Sequence, residues 1–281
     1  MNDPLSRRAI VTVALVASAL TGVMAVLSCD APVAQKASQS SQPPVPGNWK
    51  IVWRDEFNGT ALDPVWHACQ WWDSDVTVVR KDELEAYDAS GVTVSGGQLH
   101  LTARVDNRHG VPFVSGLVMT GGERANPARP KFSFQYGYLE VRARVPAGQG
   151  FWPTIWVMPA SYQDSNGEID VVEVLGRDTT KAYFTVHHLA LNEQQQFIQV
   201  GADLSAGFHT YAIDWEPDHI TWYLDGVAVG TCTNPSLIPR EPMYPIMNLA
   251  VGGNWGGPPD GSTRFPASMD VDYIRVWQAA T

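Results

Sequence analysis

Short runs of alternating apolar and polar residues, broken by turn residues, recur along most of the chain. From Tyr138 to Val145 the alternation is unbroken. Leu139, Val141, Ala143 and Val145 fall on one face, and Glu140, Arg142 and Arg144 on the other. A period of two is that of a strand buried on one side. Val92-Thr93-Val94 and Leu99-His100-Leu101 flank Gly96-Gly97, and the run from Ile220 to Val229 turns at Asp225-Gly226. Both dipeptides tolerate the positive φ angles of a two-residue turn, so each pair of runs predicts a β-hairpin. Val271 to Trp277 predicts a closing strand. Helical periodicity is nearly absent, and no repeat or internal linker interrupts the pattern. The predicted fold class is all-β, a sandwich of antiparallel sheets. Two long Gly- and Pro-rich segments, Gly121–Pro130 and Gly252–Phe265, are predicted as loops that carry function.

The N-terminal pattern is different. Arg7 and Arg8 precede an apolar run from Ala9 to Leu27, which reads as a secretory signal. The run is also long enough to span a bilayer, so an uncleaved anchor or plain secretion are the alternatives. Val26-Leu27-Ser28-Cys29 resembles a bacterial lipobox, in which the cysteine is acylated. Residues 1–29 are therefore expected to be a lipoprotein-type signal peptide, with Cys29 the candidate lipid anchor. Residues 30–48, rich in Ala, Ser, Gln and Pro, read as a flexible linker. Residues 49–281 read as one folded domain, held on the outer side of a bacterial membrane or secreted. The sequon Asn58-Gly59-Thr60 carries no weight in such a compartment.

Composition sharpens this picture in three places. The 281 residues carry 29 acidic and 19 basic groups, a net charge of −10. Nucleic-acid binding draws its affinity from a basic footprint, so that class is excluded. With Cys29 in the lipobox, only Cys69 and Cys232 remain. The compartment permits a disulfide between them without requiring one. Trp is abundant, at 11 residues, and indoles are a common means of gripping sugar rings.

The chemistry concentrates in Gly167-Glu168-Ile169-Asp170-Val171-Val172-Glu173-Val174. Three acids sit among β-branched residues that demand a strand. On a regular strand Glu168 and Asp170 share a face and Glu173 points away. One extra residue, held in a β-bulge near Val171 and Val172, would return Glu173 to the same face. Three like charges in a row push their pKa values apart, which separates a proton donor from an ionised base. Two Glu side chains leaning inward could then approach the ~5–5.5 Å carboxyl separation of a retaining glycosidase. A solvated polar strand face and a calcium or magnesium site are the competing readings. Upstream, Trp152 and Trp156 in Phe151-Trp152-Pro153-Thr154-Ile155-Trp156 would share one strand face near the acids. Downstream, Thr185-Val186-His187-His188 can turn only one histidine toward them.

The run Glu168-x-Asp170-x-x-Glu173 resembles the signature of glycoside hydrolase family 16, in its laminarinase-like (endo-β-1,3-glucanase) branch. Further segments resemble that family in order: Trp53–Gly59, Tyr136–Arg144, Phe151–Trp156, Thr185–His187, Trp222–Gly226, Asn248–Trp255 and Val271–Trp277. The resemblance implies a β-jelly roll of two antiparallel sheets with a concave substrate cleft. It implies retaining hydrolysis of a β-linked polysaccharide, with Glu168 as nucleophile, Asp170 its partner and Glu173 the acid/base. It places Trp152, Trp156, His187 and Trp255 along the cleft, with Glu85 and Tyr87 in a further sugar-binding segment. The extra residue between Asp170 and Glu173 points to laminarinases, agarases or carrageenases rather than lichenases. Leu117 departs from the branch, which often has a basic residue there. No cofactor is implied for catalysis, but a structural calcium ion is, with Asp272 as its ligand and Glu56 and the Gly97 carbonyl behind it. The resemblance also suggests a monomer. Another polymer, transglycosylation, or glycan binding without catalysis are the alternatives.

Overall fold

A computed structural model describes residues 42–70, 72–79, 83–122, 126, 129–161, 167–188 and 190–280. The expected signal peptide, Cys29 and most of the linker lie outside the described residues. No helix among the described residues is long and apolar enough to cross a membrane.

Among the described residues, regular secondary structure is almost entirely strand. It begins with β1 (Trp49–Asp55), β2 (Val76–Val78), β3 (Glu85–Asp88), β4 (Val92–Ser95), β5 (Gln98–Val105), β6 (Phe113–Ser115) and β7 (Leu117–Met119). The middle is β8 (Gly137–Arg144), β9 (Phe151–Pro159), β10 (Glu168–Val174), β11 (Lys181–His188) and β12 (Glu193–Val200). It ends with β13 (His209–Trp215), β14 (Ile220–Leu224), β15 (Val227–Cys232), β16 (Met243–Val251), a single helical turn α1 (Gly253–Gly256), and β17 (Ala267–Ala279). The predicted hairpins are present. Gly96 and Gly97 turn β4 into β5 with φ of 60° and 75°, and Asp225 and Gly226 turn β14 into β15 with φ of 50° and 75°.

Two sheets stack face to face as a β-jelly roll. The larger runs β15-β14-β13-β8-β17-β5-β6-β3-β2, with β1 added to β17 and β4 to β5. The smaller runs β12-β11-β10-β9-β16-β7. Nearly all pairs are antiparallel; β3 and β6 pair in parallel. The core fills the space between the sheets. Leu99, Leu101, Leu139 and Val141 enter from the larger sheet, and Ile155, Ile169, Phe184 and Val186 from the smaller, all fully buried. Two buried glycines allow the β6–β7 corner to approach its neighbours. A methyl on Gly116 would lie 2.4 Å from the Gly91 carbonyl oxygen and 2.7 Å from the Leu101 Cα. Those are backbone atoms, which cannot swing aside.

The outer face of the larger sheet is a ladder of charges. The outward residues of β8 meet β17: Arg142 donates to Asp272 at 2.8 Å, Arg144 to Asp270 at 2.6 Å, and Tyr273 to Glu140 at 2.8 Å. Arg275 donates to both oxygens of Glu56, at 2.7 and 2.9 Å. The expected calcium ligands Asp272 and Glu56 both lie in this ladder. Asp272 and Glu56 are each already neutralised by a guanidinium, which would repel a divalent ion. Gly97 lies in the β4–β5 turn. Paired in this way, these residues do not fit the ion. Cys69 and Cys232 are both buried free thiols, so the permitted disulfide is not formed.

Two measurements check this architecture. Gly116→Ala should lower stability by about 1–3 kcal/mol or more, read as a drop of several degrees in Tm. Reducing agent should leave the Tm of the domain unchanged.

Candidate active site

The site is built on β10, where the ladder slips by one residue. Against β11, Glu168 pairs with His187 and Asp170 with Thr185, but Glu173 then pairs with Tyr183. Against β9 the same slip falls between Asp170 and Val172. β10 therefore carries the one extra residue that the spacing of its acids predicts. Val171 and Val172 are consecutive yet both buried in the core, while Glu168, Asp170 and Glu173 all line the opposite face. A bulge breaks the local ladder. The indole of Trp222, on β14 in the other sheet, crosses the core and donates to the Asp170 carbonyl at 2.8 Å.

Neighbouring strands orient the acids. His187 Nε2 lies 3.0 Å from Asp170 Oδ2, whereas the ring of His188 accepts from its own loop, at Leu191 N. Trp152 Nε1 donates to Glu173 Oε1 at 3.0 Å. Asp170 and Glu173 are 2% and 7% exposed, too little to hydrate three anions. Burial, reinforced by the charge of Asp170, pushes Glu173 up to about 9 and Glu168 up to about 8. The Trp152 hydrogen bond opposes the shift at Glu173, and His187 opposes it at Glu168. Burial also raises Asp170, to about 7, against a hydrogen bond with Glu168 that lowers it. The cluster thus holds protons at neutral pH and has a carboxyl able to donate one.

The acids lie where two lobes of an open cleft meet, and Trp152 and the three carboxyls line both. The first lobe, ≈ 250 Å³, is aromatic: Trp72, Tyr87 and Trp156, with Gln70, Glu83 and Asn248. The second, ≈ 470 Å³, is formed by His187, Gln194, Gln196 and Trp255. Trp156 donates to Asn248 at 2.8 Å, and the Asn248 amide donates to Tyr87 Oη at 3.1 Å, so three lining residues are linked in one chain of hydrogen bonds. Trp255, on α1, packs edge-on against Trp152 and Tyr183, with ring centres 5.5 and 4.7 Å away. Arg177, in the turn after β10, donates to the Trp255 and Gly256 carbonyls at 2.5 and 3.0 Å and holds that turn in place.

The structure brings Glu168, Asp170, Glu173, Trp152, Trp156, His187, Trp255 and Tyr87 together around this cleft. Glu85 is a correction. It is fully buried, and its Oε2 accepts from Val251 N at 2.9 Å. It fastens β3 to β16 instead of meeting a ligand, and Glu83 lines the cleft in that segment. Leu117 is also fully buried, in an apolar cluster with Tyr87 against which Trp156 packs. It backs the first lobe from behind. Sequence reasoning missed Asn248, Gln194, Gln196 and the positioning role of Trp222. Asn248 did leave a signal, as a lone amide in the apolar run of β16. The β12 glutamines read as ordinary polar surface, and nothing local links Trp222 to Asp170.

Comparison with known proteins agrees with this geometry. The family model "Glycosyl hydrolases family 16" matches residues 85–275. A second, "Beta-glucan synthesis-associated protein SKN1/KRE6/Sbg1", matches residues 6–163 and stops short of β10. A "Beta-glucanase" of Rhodothermus marinus is 34% identical, over 82% of this chain and 86% of its own length. A "Glucan endo-1,3-beta-glucosidase A1" of Niallia circulans is 31% identical over 84% of this chain, which spans only 39% of that protein. Among solved structures, the laminarinase catalytic domain of Thermotoga maritima superimposes with a TM-score of 0.73 at 29% identity, covering 83% of this chain and 100% of that one. The laminarinase of Rhodothermus marinus gives 0.71 at 33% identity, covering 83% and 99%.

The raised carboxyls carry a stability consequence. A carboxyl whose folded pKa lies above its unfolded value stabilises the fold fully below the unfolded value, about 4.5 for Glu173. That contribution is lost as pH rises toward the folded value, about 9. Glu173→Gln keeps an acceptor for Trp152 and cannot ionise. Its Tm should match wild type near pH 4 and exceed it by several degrees near pH 9. A difference independent of pH would contradict the shift.

Proposed function

The chain belongs to family 16 of the glycosyl hydrolases and is an endo-β-glucanase, and we propose that it cleaves β-1,3-linked, laminarin-like glucan with retention of anomeric configuration. The observation that carries the proposal is the row of three carboxyls on one face of a bulged strand, at the junction of two cleft lobes. A cleft continuing on both sides of the acids suits a polymer cut within its length.

In this reading Glu168 attacks the anomeric carbon while Glu173 protonates the departing glycosidic oxygen. The products of that step are a glycosyl ester on Glu168 and a shortened chain with a free hydroxyl. Glu173, now ionised, takes a proton from water as the water attacks the anomeric carbon. Glu168 leaves as carboxylate and Glu173 regains its proton. The electrostatics support proton transfer of this kind. Burial raises both glutamates, which lets one of them carry a proton, and His187 favours the ionised form of both. Asp170, held by His187 and hydrogen-bonded to Glu168, steers the nucleophile. The indoles of Trp152, Trp156 and Trp255 offer apolar faces to sugar rings, and the Asn248, Gln194 and Gln196 amides offer partners for hydroxyls. The proposal extends to residues 1–29 as a lipoprotein signal, with a monomeric domain tethered through Cys29 outside the cytoplasmic membrane. The basic start, the apolar run and the lipobox-like Val26–Cys29 support that extension.

The test is to incubate the purified protein with laminarin, mixed-linkage glucan, agarose and carrageenan. Reducing ends, product sizes and the anomeric proton spectrum of the first products would be followed. A ladder of short oligosaccharides from laminarin, released first as the β-anomer, is expected. Glu168→Gln should reduce turnover roughly a thousandfold or more while the protein stays folded. Cleavage of a different polymer with laminarin untouched would replace the substrate. Release of α-anomers would replace the mechanism.

A further inference from the structure

Glu168, Asp170 and His187 have a property that glucan cleavage does not use. Their ligating atoms, two carboxylate oxygens and an imidazole nitrogen, all lie within 4.8 Å of one another. With zinc–nitrogen and zinc–oxygen bonds of about 2.0–2.2 Å, two atoms on one ion sit roughly 3.0–3.5 Å apart. His187 Nε2 and Asp170 Oδ2 lie 3.0 Å apart across their hydrogen bond, so an ion replacing the shared proton would need little movement of either, and Glu168 would close in to complete the trio. The three side chains are also held in register by the ladder, because Glu168 is the direct cross-strand partner of His187. Asp170 is fastened from behind through Trp222. The open side of the trio faces the second lobe, ≈ 470 Å³, which has room for a water as a further ligand.

We infer that Glu168, Asp170 and His187 form a binding site for a divalent transition ion of the zinc and copper class, and that an ion there blocks glucan cleavage. The donor set selects the class. Imidazole with carboxylate suits zinc and copper, whereas calcium wants six to eight oxygens and magnesium keeps most of its water. Electrostatics act in the same direction, since a dication relieves the repulsion among three buried acids. Binding replaces the His187–Asp170 hydrogen bond with two coordination bonds and releases any protons the three groups share. It removes Glu168 as an attacking group and occupies the space of the sugar. The ion is an inhibitor in this account and takes no part in bond cleavage. The blocking half of the inference rests on the glucanase reading; the binding half does not.

The experiment titrates the full-length protein with zinc chloride by calorimetry, with calcium and magnesium chloride as comparisons. In parallel, laminarin hydrolysis is followed at several zinc concentrations, before and after addition of EDTA. One zinc per chain is expected, bound more tightly than calcium or magnesium. Inhibition should be competitive with laminarin and fully reversed by EDTA. His187→Gln and Glu168→Gln should each weaken zinc binding at least roughly tenfold, and circular dichroism would check that both variants fold. Zinc binding undiminished in the folded variants, no binding at millimolar zinc, or inhibition that laminarin does not compete away would overturn the inference. If wild type binds zinc through these residues but cleaves no glucan, the metal site stands and the glucanase reading falls. If it cleaves laminarin and ignores zinc, the reverse holds.

Discussion

The active centre depends on one slipped residue in β10 and on the indole that accepts its consequence. Without the slip, Glu173 would project into the core, where an uncompensated carboxyl costs several kcal/mol, and the cleft face would carry two acids instead of three. With it, two adjacent valines pack inward and the ladder is locally broken. Trp222 reaches across the core from the opposite sheet to take the Asp170 carbonyl. The bulge and the sandwich are thus one construction. The second sheet supplies both the apolar surface that holds Val171 and Val172 and the hydrogen bond that fixes the backbone under the central acid.

The chemistry of the cleft follows from this burial. Three carboxyls on one strand face, with Asp170 and Glu173 almost wholly out of water, cannot all be ionised at neutral pH. Their pKa values rise for the same reason that the cluster destabilises the fold at high pH. Positioned neighbours oppose the rise: the Trp152 hydrogen bond at Glu173, and His187 at both glutamates. The same crowding of carboxyls beside an imidazole is what the proposed metal site would draw on. The aromatic first lobe and the amide-bearing second lobe then present two unlike surfaces on either side of the three acids.

Much of this was legible locally. The alternation of Tyr138–Val145 became β8, and the Gly96-Gly97 and Asp225-Gly226 turns became hairpins, because period and turn chemistry act over a few residues. The bulge was also legible, since three acids among valines could share one face only if a residue were added. Partners remote in sequence were not legible. The register of β17 with β8, and the arrival of Glu56 beside Arg275, set a guanidinium against each of the expected ion ligands Asp272 and Glu56. Glu85 looked like a sugar contact until the main chain of Val251, 166 residues away, claimed its carboxylate.

By itself the sequence determined the all-β class, the position of the acid strand, the need for a bulge within it, and the indoles and histidine that accompany it. These follow from residue size, backbone preference and charge repulsion between near neighbours, which act at short range and are written in order along the chain. Only the tertiary structure decided which carboxylates meet arginine, which meet water and which share protons. It alone brought Trp222 to Asp170, Asn248 to Tyr87 and Trp156, and Arg177 to the turn that holds Trp255. Those outcomes depend on strand register and on how the two sheets stack. Register and stacking are set by the packing of the whole core, which no single segment encodes.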